Sequence, residues 1–166
     1  MNTQLIDPQD VFSLVQAICV SMLDMECKEA SDRSPQQSPQ ENACNFIGCV
    51  QIYGDWNGAV EIHTDADFGR KAAARMMMIP EEDIALDDIQ DAIAELSNMV
   101  GGSLKGILPG TSSLSLPSVA SGVDLGFKLQ NNDSSQLVAL ECDGQMFSIA
   151  IKHCTPSVLA GMLPKT

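Results

Sequence analysis

The chain has 166 residues, 45% of them hydrophobic and 19% charged, which predicts one globular domain over 1–166 with a core of its own. Its formal net charge of −13 argues against nucleic acid and anionic membrane surfaces, both of which attract Lys and Arg. The N-terminus MNTQLIDPQD carries no basic region followed by an apolar run, and no apolar stretch approaches the ~20 residues of a spanning helix, so the expected compartment is the cytoplasm.

In chain order, Pro8 and Asp10 open a predicted helix that runs to about Met25. Val11, Leu14, Val15, Ile18, Met22 and Met25 form its buried face. Ala30 to Asn42, rich in Ser, Pro and Gln, reads as an exposed connecting loop. Phe46 to Tyr53 and Ala59 to Thr64 read as two strands joined by GDWNG, a turn with Gly at both ends. Alternation puts Val60 and Ile62 on one side of the second strand and Glu61 and His63 on the wetter one. Trp56 is expected at the rim, covering the hairpin. Asp67 to Met78 predicts a helix stopped before Pro80. At helical spacing beside Phe68 and Ala72, its Met76, Met77 and Met78 read as core filler, with an adaptable binding surface as the other reading.

Leu86 to Gly106 carries the clearest signal. Leu86, Ile89, Ile93, Leu96 and Val100 fall three or four apart, the stripe of one helix face. Asp87 and Asp88 favour the positive N-terminal end, and Gly101 and Gly102 are expected to loosen the far end. On the opposite face Asp91, Glu95 and Asn98 stand at i, i+4 and i+7, so the three project together into solvent. Two acids there are ordinary surface residues. Asn98 fits that reading less well, because the Asn amide competes for backbone groups in a helix interior and a better helix former would serve solubility.

Beyond this helix, LPGTSS is turn-rich and leads into a strand over Leu114 to Ala120. Gly126 to Gln130 is a candidate strand. Leu137 to Cys142 and Gln145 to Lys152 form a hairpin across Asp143-Gly144, a strong two-residue turn signal. Thr155 to Thr166 reads as a tail. The cysteines Cys19, Cys27, Cys44, Cys49, Cys142 and Cys154 contain no CxxC pair and read as core thiols. With only His63 and His153 beside them, no closely spaced metal-ligand set is expected. A helix followed by strands and a hairpin occurs before residue 65 and again after residue 87. Such a duplication predicts an α+β fold: an antiparallel sheet of about six strands with two long helices packed on one face.

The segments ELSNM, holding Glu95 and Asn98, and LPSVASG, holding Pro117, together with Asp91 and this order of elements, resemble the CheC/CheX/FliY phosphatases of bacterial chemotaxis. The chain shows one such motif and so resembles the single-site CheX branch; the loop between Asn98 and Pro117 is a few residues shorter than the family's. The resemblance implies hydrolysis of the aspartyl phosphate on a CheY-type response regulator. It implies that Asn98 orients the attacking water, that Glu95 pairs with a lysine of the receiver, and that Gly102 and Pro117 contact the partner, while Asp91 either contacts the partner or caps and orients the helix. It also implies a homodimer, and no cofactor beyond the Mg²⁺ carried by the receiver. Two other readings stay open: a receiver-binding or scaffold module of the same fold without hydrolysis, and a structural dimer subunit whose polar helix face is plain surface.

Overall fold

The computed structural model describes residues 6–30, 45–122 and 135–153. The elements are α1 (Pro8–Ile18), a π turn (Cys19–Leu23), β1 (Cys27–Glu29), β2 (Asn45–Gly54), β3 (Gly58–Asp65), α2 (Ala66–Met77), a 3-10 turn (Glu81–Asp83), α3 (Leu86–Ile107), β4 (Ser112–Leu114), β5 (Ser118–Gly122), β6 (Ser135–Cys142) and β7 (Gln145–His153). The fold is α+β, as expected, with a seven-stranded antiparallel sheet rather than six strands and three helices, of which α3 is long and α1 and α2 are of similar, shorter length. Strand order is β1-β6-β7-β3-β2-β4, with β5 also on β2. This order is symmetric about the β3–β7 pair: each half contributes a hairpin, and its leading strand pairs with the hairpin of the other half. The faint internal repeat is therefore a repeat of topology.

Alternation decides which face of the sheet is covered. Val50, Val60 and Ile151 form one row across the sheet, and Ile62, Ile149 and Val138 the next. All six are buried under the helices. Phe68 on α2 stacks on Phe147 with ring centroids 4.6 Å apart. The β6–β7 turn takes positive φ at Asp143 (49°) and Gly144 (77°), the backbone that Asp-Gly was expected to supply.

Several expectations are corrected. The first helix does not run on as an α-helix to Met25. The π turn inserts a residue, so Leu23 turns inward while Met22 is exposed. Trp56 is core, 8% exposed, with its ring edge-on to His153 at 5.3 Å. Met76 is half-buried, but Met77 and Met78 are exposed, because α2 ends at Met78 in the left-handed conformation (φ 57°). Leu86, at the start of the apolar stripe of α3, is also exposed.

The strand expected over Leu114 to Ala120 is two strands. Between them Ser115 substitutes for regular pairing: its N–H donates to the Gln51 carbonyl and its Oγ accepts from the Gln51 N–H, both at 2.9 Å. Pro117 follows with no N–H to give. Cys27 and Cys142 are not thiols but a disulfide joining β1 to β6; Cys19 remains a buried thiol. The candidate strand at Gly126 to Gln130, the Ala30 to Asn42 loop beyond Ala30, and the tail lie outside the described residues. Among those described, no helix is long and apolar enough to cross a membrane.

Candidate functional site

The site is built on α3, whose start is set by Ala85 and Asp88. Ala85 has no side-chain acceptor to cap the helix. Asp88 supplies the other half of a capping box, its Oδ2 accepting from the Ala85 N–H at 2.8 Å. Ile89, Ile93, Leu96, Val100 and Leu104 then fall into the core.

Small residues decide how closely this helix sits. A Cβ on Gly48 of β2 would collide with Ser97 Oγ and come within 2.7 Å of Ile93 Cγ2. One on Gly101 would lie 2.5 Å from Val50 Cγ2, and one on Gly69 of α2 would lie 2.6 Å from Ile89 Cγ2. Ser97 fits because its hydroxyl turns back onto its own helix, donating to the Ile93 carbonyl at 2.7 Å. So α3 rests directly on β2 and α2, with a glycine on one side of each contact. Gly101 and Gly102 do not loosen the end of the helix, which continues to Ile107.

The outward face is the opposite case. Asp91, Glu95, Asn98 and Gly102 are all exposed. Among the described residues no hydrogen bond or ion pair engages Asp91, Glu95 or Asn98, while the backbone beneath them is held on two sides. Gln90, Asn98 and Gly102 share one i+4 ridge. At one end Gln90 Nε2 donates to Ser121 Oγ of β5 at 3.4 Å; at the other, Leu114 of β4 is the nearest neighbour of a Cβ built on Gly102. Asn98 lies on the ridge between these two contacts. The β4–β5 break along this edge holds Pro117, half-buried, and Leu116, 90% exposed. Pro117 thus lies between two strands rather than within one. The seat formed by Gly48, Ser97 and Gly101 escaped the sequence reading; its signal was a small residue at a buried position on each side of one contact.

This face can present a neutral amide and a carboxylate side by side to another molecule. An amide oxygen accepts a hydrogen bond from water while the NH₂ donates. No cluster of His, Cys, Asp or Glu at ligand spacing includes Asp91 or Glu95; the one such group among the described residues is Cys19, Cys27 and Cys142.

A second polar cluster lies on the sheet face away from the helices. Glu61 Oε1 accepts from Lys152 Nζ at 2.6 Å, and Glu61 Oε2 pairs with His63 Nε2 at 2.8 Å. The Glu61 and His63 side chains are only 16% and 14% exposed. Burial pushes the Glu61 carboxyl up, but hydrogen bonds from His63 and Lys152 and the Lys152 charge outweigh it and hold the carboxyl below its ordinary value. The wetter face expected for Glu61 and His63 is therefore an ion-paired seam between β3 and β7.

The family model described as chemotaxis phosphatase CheX matches residues 46–143. No curated protein matches the chain in sequence. The fold is similar to chemotaxis protein CheX from Vibrio vulnificus, with TM-score 0.72 and 18% identity over 93% of this chain and 100% of that one. A CheC-like superfamily protein from Shewanella sp. PV-4 gives TM-score 0.66 and 21% identity over 93% and 100%. A chain of the CheX–CheY–BeF3–Mg²⁺ complex from Borrelia burgdorferi gives TM-score 0.64 and 14% identity over 92% and 100%.

Proposed function

The chain belongs to the chemotaxis phosphatase CheX family, and from that premise we propose that it hydrolyses the aspartyl phosphate of a CheY-like response regulator, with Asn98 orienting the attacking water. An acyl phosphate has a good leaving group. Water attacks phosphorus, the P–O bond to the aspartyl oxygen breaks, and carboxylate and inorganic phosphate leave. Positioning and electrostatics dominate such a transfer. A carboxamide suits the task, because its oxygen holds the water and it brings no charge against the phosphoryl oxygens. Glu95 pairs with a lysine of the receiver, the role its counterpart has in the family. Asp91, Gly102 and Pro117 border the approach on the same helix and the adjoining strand edge. Mg²⁺ enters with the receiver, and the phosphatase contributes no cofactor of its own.

The observation that carries this reading is the contrast on α3: Glu95 and Asn98 exposed and without partners among the described residues, on a backbone seated closely against β2 and α2. The structure of a relative's CheX–CheY complex, with beryllofluoride and Mg²⁺, supports a CheY-like partner. The homodimer and the cytoplasmic setting belong to the same proposal; light scattering on the purified chain tests the dimer.

The decisive experiment is phosphate release from a panel of phosphorylated receivers, with Asn98→Ala as the comparison. The variant is expected to bind a beryllofluoride-loaded receiver with nearly unchanged affinity and to lose roughly 10²-fold in dephosphorylation rate, as for a positioning group. Normal dephosphorylation by the variant removes the assigned mechanism. Binding without any acceleration by the native chain identifies a receiver-binding module instead.

A further inference from the structure

Away from α3, three buried sulfurs meet beneath the first helix. Cys19 lies in the π turn, Cys27 on β1 and Cys142 at the end of β6. Their exposures are 3%, 4% and 0%. Cys27 and Cys142 are register partners, with Cα atoms 4.4 Å apart. Cys19 completes a triangle in which all three Sγ atoms lie within 4.8 Å of one another. Cys19 stands four residues beyond Val15 and eight beyond Val11, so the buried stripe of α1 carries it inward to this triangle.

Metal coordination deprotonates thiols outright, so buried thiols can serve as ligands. We propose that, once the Cys27–Cys142 bridge is reduced, Cys19, Cys27 and Cys142 form a three-sulfur site for Cu(I). Thiolates select soft ions, and Cu(I) among them. Structural zinc is almost always held by four ligands, whereas among the described residues this group offers three sulfurs with no carboxylate or imidazole at ligand spacing. The site opens when a dithiol reductant exchanges with the bridge, delivering two electrons and two protons and leaving as its own disulfide; binding then displaces thiol protons into solvent.

The test uses the full chain, reduced by a phosphine and kept anaerobic, titrated with Cu(I) against a competing chelator. One equivalent is expected to be retained with the emission of a solvent-shielded Cu(I)–thiolate centre, and to raise the melting temperature, because it ties three separate elements. Cys19→Ser and Cys142→Ser should each lose the emission and at least tenfold in affinity. Cys49→Ser, outside the cluster, should lose neither. The unreduced chain, with two of the three ligands tied together, should show no such emission. Cooperative melting of the reduced variants shows that they fold. Tighter retention of Zn(II) than of Cu(I), or retention undiminished in a folded Cys19→Ser protein, overturns the proposal.

Discussion

Asn98 is the odd residue in the sequence, and among the described residues the structure supplies no internal use for it. Its amide is exposed on a helix whose buried stripe, cap and termini are satisfied by other residues. That oddity was legible because helix propensity is local: a poor mid-helix residue shows in the sequence without knowledge of the fold. Glu95 was not legible in this way, since a surface Glu is ordinary. What distinguishes it is the task. A carboxylate brought beside a phosphoryl group repels it unless a cation of the partner neutralises the pair. Glu95→Ala and Glu95→Gln are therefore both expected to weaken binding to a beryllofluoride-loaded receiver by about tenfold at low salt. The loss should shrink as ionic strength rises and screens the pair in the native protein. Fluorescence titration at two salt concentrations checks this. A loss in Glu95→Gln that is independent of salt would sink the ion-pair assignment.

Whole elements were legible where a period ran long enough. Leu86 to Gly106 was expected and Leu86–Ile107 is observed, because five turns of apolar spacing outvote two glycines. The glycines themselves were misread, since a sequence does not show what stands across from a position. Gly101 faces Val50 at 2.5 Å from a would-be Cβ, whereas Gly102 has only Leu114 at 3.8 Å. Their alanine variants should thus differ in sign. Gly→Ala in a helix gains about 1 kcal/mol from propensity alone. At Gly102 nothing opposes that gain, so stability in urea should rise by about that amount, while the added methyl on the Asn98 ridge should weaken receiver binding. At Gly101 overpacking costs about 1–3 kcal/mol, which cancels or exceeds the gain and lifts α3 from β2, so the dephosphorylation rate should fall even where stability is held. Met78 is the same lesson at the end of α2. It occupies a left-handed cap with φ 57° and 91% exposure, so it packs against little and prefers to be glycine. Met78→Gly should raise stability by about 0.5–1 kcal/mol, read from the denaturation midpoint. A decrease would mean that the exposed methionine is held by contacts of its own.

At the scale of the molecule, the two halves meet where β3 pairs with β7. The repeat of helix, strands and hairpin predicted such a sheet, because hairpins and amphipathic helices are written in local patterns. The pairing of β1 with β6 and the Cys27–Cys142 bridge were not legible. A three-residue strand has too few residues to show a period, and the bridged cysteines are 115 residues apart, so their meeting depends on the register of the finished sheet. The ion pairs at the seam belong to this class too: Glu61 reaches Lys152 only because Ala59 and Lys152 are register partners. This contact couples the halves to pH. The folded-state carboxyl of Glu61 is held below its ordinary value of 4.5. Its contribution to stability is therefore fully present above about pH 4.5 and is lost as pH falls through the lower folded-state value, when the native protein must take up the proton. The chain carries 22 acidic residues, so the acid limb of the native protein alone does not isolate this one. The difference between native and Glu61→Gln does. Urea midpoints should favour the native chain at pH 6, and the two curves should converge as pH is lowered toward 3. A gap that stays constant across that range would mean that the carboxylate charge contributes nothing at the seam and that Glu61 acts there through packing alone.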